Sequence, residues 1–125
     1  VACVVNTFHS VNKQYGRQFG EKVLRSIGAD LKKLARQIGG ISCREEDDTF
    51  LLYCPHQDDY EQLINEFLSD VFSGKEIADK VSIRFGIFTD ARQVESIEYR
   101  FECAKTAADR VKNDPERNFS FYDQT

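Results

Sequence analysis

The residues that most invite a chemical reading are acids. Glu45, Glu46, Asp47 and Asp48 stand in one unbroken run, and carboxylates gathered this closely could hold a hard cation or carry protons. A calcium loop alternates its ligands and bends at a glycine. This run does neither, so it reads as a solvated acidic turn, with Arg44 beside it to balance the charge. His9 and His56 have no Cys or His at metal spacing, and Ser10 and Ser120 lack a nucleophile elbow or a nearby base. Cys3, Cys43, Cys54 and Cys103 show no CxxC spacing, which argues against zinc. The first three lie in the apolar, strand-like contexts VACVV, ISCR and LLYC and read as reduced core thiols. Arg110, Lys112 and Arg117 form a local basic stretch that reads as a solvated helix end.

The composition adds no footprint for a large polyanion or a bilayer. A net charge of −4 over 125 residues runs against nonspecific nucleic-acid binding, which needs a basic surface. With 41% hydrophobic and 30% charged residues, and ten Phe with five Tyr as bulky core material, the chain has the makings of one soluble globular domain spanning residues 1–125. No apolar run nears the ~20 residues that span a bilayer and no secretory signal opens the chain, so a cytoplasmic location without membrane contact is expected. Met is absent and the chain opens directly on VACVV, which reads as a segment of a larger protein.

These side chains need elements to position them. Residues 1–6 are a Val-rich apolar run, the mark of a buried strand, and FHSVNKQYG reads as a short helical segment ending near Gly16. From Gly20 to Gly39, Val23, Leu24, Ile27, Leu31, Leu34 and Ile38 recur at helical steps, with Gly39-Gly40 as a stop. Strands at 41–44 and 49–54 flank the acidic turn as a hairpin. Asp58 or Asp59 caps a helix running to Phe72, whose apolar face is Tyr60, Leu63, Ile64, Phe67, Leu68 and Val71. VSIRFGIF alternates as a half-buried strand. A helix over 94–112 turns Ile97, Phe101, Ala104, Ala108 and Val111 inward, and 118–122 forms a closing strand. This order implies an α/β (α+β) fold, a mixed central sheet flanked by helices and related to the ferredoxin-like, nucleotidyl-cyclase palm architecture.

Several of these segments together resemble GGDEF domains, the diguanylate cyclase family. NTFHSVNKQYGRQFGEKVL is similar to the family's D-x-D-x-F-K-x-I-N-D-x-x-G-H-x-x-G-D-x-x-L, with Phe8, Val11, Asn12, Tyr15, Gly16, Gly20 and Leu24 in register. C-R-E-E-D-D-T-F stands where the family carries R-Y-G-G-D-E-F, and VSIRFGIF resembles V-T-x-S-I-G-I-A. AKTAADRVK and RNFSFYD are similar to the family's A-D-x-A-L-Y-x-A-K and G-R-N-x-V-x-x-Y-D. The resemblance covers essentially the whole chain, without the usual N-terminal lead-in segment. It implies a bacterial cyclic di-GMP signalling protein, with an adjoining EAL phosphodiesterase or sensor domain and a possible homodimer as partners.

The departures from the pattern set the functional expectation. Family members condense two GTP molecules with a divalent metal held by carboxylates. Here Val4 replaces the first ligand Asp and removes an oxygen from a hard Mg²⁺ site; Asn6 occupies the second acidic position. Glu46 and Asp47 stand at the signature glycines, putting bulk and negative charge where polyphosphate must approach. Asp48 keeps an acid as a metal-site remnant, followed by Thr49 and Phe50. Cyclase activity is therefore not expected. Asn12 and Glu21 fall where the family's Asn and Asp read guanine, and Lys112 and Arg117 where its Lys and Arg contact phosphate, Arg117 being displaced by an apparent insertion. The resemblance thus implies a regulatory module that could still bind GTP with Mg²⁺. A second reading keeps Asn12 as a helix-turn cap and Glu21 as an exposed first-turn acid, leaving a purely structural dimerisation or docking module without nucleotide. The RxxD product-inhibition motif is absent, since its Arg falls on or beside Gln37 and its acid on or near Gly40.

Overall fold

The computed structural model describes residues 1–6, 13–46, 48–72, 82–89, 96–114 and 116–122. Asn12 and Asp47, and the side chain of Glu46, lie outside the described residues. Strand β1 (Ala2–Val5) leads to helix α1 (Arg17–Ile38), then to the hairpin of β2 (Ile41–Glu46) and β3 (Thr49–Tyr53). Helix α2 (Tyr60–Phe72), strand β4 (Ile83–Ile87), helix α3 (Ile97–Arg110) and strand β5 (Phe119–Phe121) complete the chain. The elements follow the order that periodicity predicts. Of the expected first helical segment, residues 13–15 are helical and those before them lie outside the described residues.

The five strands form one sheet in the order β2-β3-β1-β4-β5. Neighbours pair antiparallel except β4 and β5, which are parallel. Strand alternation assigns the two faces. Cys3, Val5, Phe50, Leu52, Ile83, Phe85 and Ile87 share one core with Val23, Leu24, Ile27 and Leu31 of α1 and Ile64, Phe67 and Val71 of α2. Ala2 and Leu51 point the other way, against Ala104 of α3 with Phe88 and Phe101. The sheet is thus covered on both faces.

Local chemistry explains the helix limits. Helix α1 starts at Arg17, ahead of the expected Gly20, so Gly20 is buried within it; it ends at Gly39, whose φ of 76° is the left-handed cap that glycine favours. In α2 the Asp59 carboxylate accepts from the Gln62 amide at 3.0 Å, a side-chain N-cap. Ser96 caps α3 by accepting from the Tyr99 amide at 3.1 Å. Ile97 corrects the expected inward stripe: it is 44% exposed, because the burial of α3 begins only around its second turn. Periodicity names a helix face but not where the layer beneath it ends.

The thiols also need correction. Cys3 and Cys103 are buried, but Cys54 is half-buried and Cys43, on edge strand β2, is exposed. Cys3 is an inert core group whose thiol burial pushes up to about 12. No helix among the described residues is long and apolar enough to cross a membrane.

One close approach fixes α3 on the sheet. A Cβ at Gly86 would lie 1.6 Å from the Ala104 carbonyl oxygen and 2.6 Å from the Ala108 amide nitrogen. Backbone, unlike the end of a side chain, cannot step aside. Gly86→Ala is therefore expected to destabilise the domain by about 3 kcal/mol or more, at the upper end of core overpacking, read as a fall in the urea midpoint. An unchanged midpoint would show that α3 can lift off the sheet freely.

Candidate functional site

Strand register gathers the candidate residues at one end of the sheet. Val4 on β1 lies opposite Thr49 on β3 and Arg84 on β4. Glu46 lies opposite Thr49, across a bulge that interrupts β2 between Arg44 and Glu46. The Val5 amide donates to the Asp48 carbonyl at 2.8 Å, tying the acidic turn to the end of β1. The Phe85 amide donates to the Asn118 carbonyl at 2.8 Å, which brings Arg117 to the same end beside β4.

The hairpin is held by ion pairs on both faces. Arg44 reaches Glu21 of α1, with Nη2 3.3 Å from Oε1 and Nη1 3.5 Å from Oε2. Hydrogen bonding from Arg44 holds the exposed Glu21 carboxyl below its ordinary value. With α1 starting at Arg17, Glu21 lies beyond the first turn, so Arg44 rather than the helix dipole is its evident partner. On the other face, Lys105 of α3 contacts Glu102 at 2.8 Å and Glu45 at 3.0 Å. Glu102 first, and then Glu45, raises the Lys105 ammonium above its ordinary value.

Arg84 is the functional-end residue that the sequence reading missed. It is half-buried, and its Nε donates to the Val111 carbonyl at 2.8 Å and its Nη2 to the Asp114 carbonyl at 3.0 Å. A guanidinium on carbonyls at a helix C-terminus complements the helix dipole. The signal was a lone Arg in the apolar strand VSIRFGIF, read there only as the outward half of an alternation. Asn6 works nearby, its side-chain nitrogen donating to the Lys112 carbonyl.

This donor set does not fit a hard divalent cation held by carboxylates. The Val4 side chain offers no oxygen, and the residue across from it is cationic Arg84. Asp48 accepts from the Thr49 hydroxyl at 3.1 Å, with Thr49 buried. Among the described residues no group of three or more His, Cys, Asp or Glu side chains could hold a metal ion. Of the remaining candidates, Lys112 is exposed, Arg117 lines a shallow depression with Ser82, Arg84, Glu116 and Asn118, and Phe50 is core. Glu21 lies on the opposite face of the sheet from Asn6 and Lys112, and Asn12 lies outside the described residues.

Comparison with known proteins gives the family and the fold. The sequence profile described as diguanylate cyclase, GGDEF domain, matches residues 1–118. An EAL/GGDEF domain protein from M. capsulatus superposes with a TM-score of 0.79 at 23% identity, over 98% of this chain and 82% of that one. The active GGEEF domain of a diguanylate cyclase from Vibrio cholerae gives 0.80 at 15% identity, over 99% and 81%. Vibrio cholerae LapD, as an S helix-GGDEF-EAL structure bound to c-di-GMP, gives 0.72 at 16%, over 96% and 28%. Comparison with curated protein sequences yielded no match.

The role of Arg84 has a direct test. Arg84→Met keeps the aliphatic stem and removes the donors to Val111 and Asp114. Stability should fall by about 2 kcal/mol, as for charged hydrogen bonds lost from a partly buried site, with faster amide exchange in the last turn of α3. Unchanged denaturation and exchange would show that these carbonyls are satisfied without it.

Proposed function

The chain belongs to the diguanylate cyclase GGDEF domain family, and from that membership we propose that it is a degenerate member which binds GTP as a regulatory module without condensing it. The observation that carries this reading is the surroundings of Val4. The position expected to ligate metal is an isopropyl group, and its neighbour on β4 is the guanidinium-bearing Arg84. Phosphoryl chemistry in the family needs metal to offset charge on the reacting phosphates. A cation fixed nearby on the Val111 and Asp114 carbonyls, just past α3, disfavours a second one, and Glu46 and Asp47 add negative charge where glycines would admit phosphate.

The base-reading groups have kept suitable chemistry. Asn12 and Glu21 carry the amide and carboxylate that complement guanine's acceptors and donors. Lys112 and Arg117 are exposed cations for the phosphates. Loss at the reacting end combined with retention at the recognising end suits a module that senses GTP. The M. capsulatus EAL/GGDEF protein and LapD combine such a domain with an EAL domain. By that likeness the proposed setting is a cytoplasmic cyclic di-GMP signalling protein, the proposed partners being an EAL phosphodiesterase or sensor domain and a second GGDEF copy.

Calorimetry with GTP and Mg²⁺ tests the binding reading. The folded chain should give a saturable heat with GTP and none with ATP. Asn12→Ala combined with Glu21→Gln should weaken GTP by more than about tenfold, the scale of a lost charged hydrogen-bond pair. Absence of heat from a chain shown to be folded by circular dichroism would leave the docking module without nucleotide.

A further inference from the structure

We propose that Arg44 is an internal competitor for the carboxylate of the guanine site, so that nucleotide entry requires the Arg44–Glu21 pair to open. The inference rests on the GTP-binding reading above. The geometry of the pair is its basis: each terminal nitrogen of the guanidinium faces its own oxygen of Glu21, at 3.3 and 3.5 Å. Guanine offers a carboxylate the same fork, because N1–H and an N2–H leave one edge of the base side by side. Two such forks cannot occupy one pair of carboxylate oxygens together. Arg44 therefore stands in for the base.

The placement of the pair suits a contact that opens. Its partners belong to different elements, β2 and α1, and their side chains are 34% and 41% exposed. Exposed pairs of this kind are weak, so solvent and ligand compete with them readily. Opening disturbs no core residue, since neither partner belongs to the buried clusters. The Glu21 carboxyl is ionised at neutral pH even at its ordinary value, and Arg44 holds it lower still, so the charge pairing extends to more acid pH. Arg44 also adjoins the bulge before Glu46, so its release would be felt directly at the turn.

The competition also weighs differently on different bases. Adenine presents a donor beside an acceptor on its pairing edge and cannot replace the Arg44 fork. Hypoxanthine keeps N1–H but lacks the 2-amino group, so inosine triphosphate replaces only half of it. GTP must therefore displace Arg44 from both Glu21 oxygens, whereas inosine triphosphate needs only one, so the closed pair weighs more heavily on GTP.

The test is calorimetric affinity for GTP and for inosine triphosphate, each with Mg²⁺, on the native chain, Arg44→Ala, Arg44→Gln and Glu21→Gln. Both nucleotides carry the same triphosphate, so a change in phosphate attraction falls equally on them. Removing Arg44 should tighten GTP by about two- to fivefold, the population cost of a weak closed pair, and raise the preference for GTP over inosine triphosphate. Glu21→Gln should abolish that preference. GTP binding by Arg44→Ala at a concentration where the native chain is too weakly occupied to give a measurable heat would equally support the inference. Unchanged or weaker GTP binding in both Arg44 variants, with the native chain binding GTP, would overturn the competition while leaving the binding reading intact. If neither the native chain nor a folded Arg44 variant binds GTP, both fall together.

Discussion

The backbone of α3 lies so close to β4 that no side chain fits between Gly86 and Ala104. Small residues at Ala104, Ala107 and Ala108 make that approach possible, and much of the site's arrangement depends on it. At this separation Arg84 reaches the carbonyls of Val111 and Asp114, Asn6 reaches Lys112, and Lys105 spans to Glu45 on the hairpin. Packing density thus sets the electrostatics. A helix held further off would leave Arg84 half-buried beside apolar β1 without its acceptors, a costly position for a charge.

The ion pairs at the hairpin matter less for stability than for arrangement. Glu21–Arg44 is exposed and Lys105–Glu45 lies near the surface, where such pairs contribute only modestly. Their effect is to settle where the charges point. One pair draws the residue before the acidic turn towards α1, and the other draws its neighbour towards α3. The turn is also joined to β1 through the Val5–Asp48 hydrogen bond. In our reading this arrangement keeps a place for the base and abandons the place for metal.

Much of the fold was legible because its signals are periodic. The step of α1 from Val23 to Leu31, the alternation of Ile83, Phe85 and Ile87, and the cap at Asp59 each follow from local chemistry and reappear in the structure. What stayed hidden depends on partners distant in sequence. Arg84 looked like the polar half of a strand, since nothing local says that the end of α3 will lie beside it. Glu21 looked like an acid at a helix start, because the extra turn from Arg17 carries no strong signal. Cys43 looked buried because its strand is apolar, and only the sheet order shows β2 to be an edge. The β2 bulge likewise answers to pairing across the hairpin.

The central claim is that this end of the sheet recognises GTP but cannot condense it. Mass-spectrometric detection of cyclic di-GMP after prolonged incubation with GTP and Mg²⁺, alongside an active cyclase as reference, tests it most directly. The proposal predicts unchanged GTP and no product above the enzyme-free control. Time-dependent cyclic di-GMP that scales with protein concentration would contradict it, and would mean that metal is ligated without an acid at Val4.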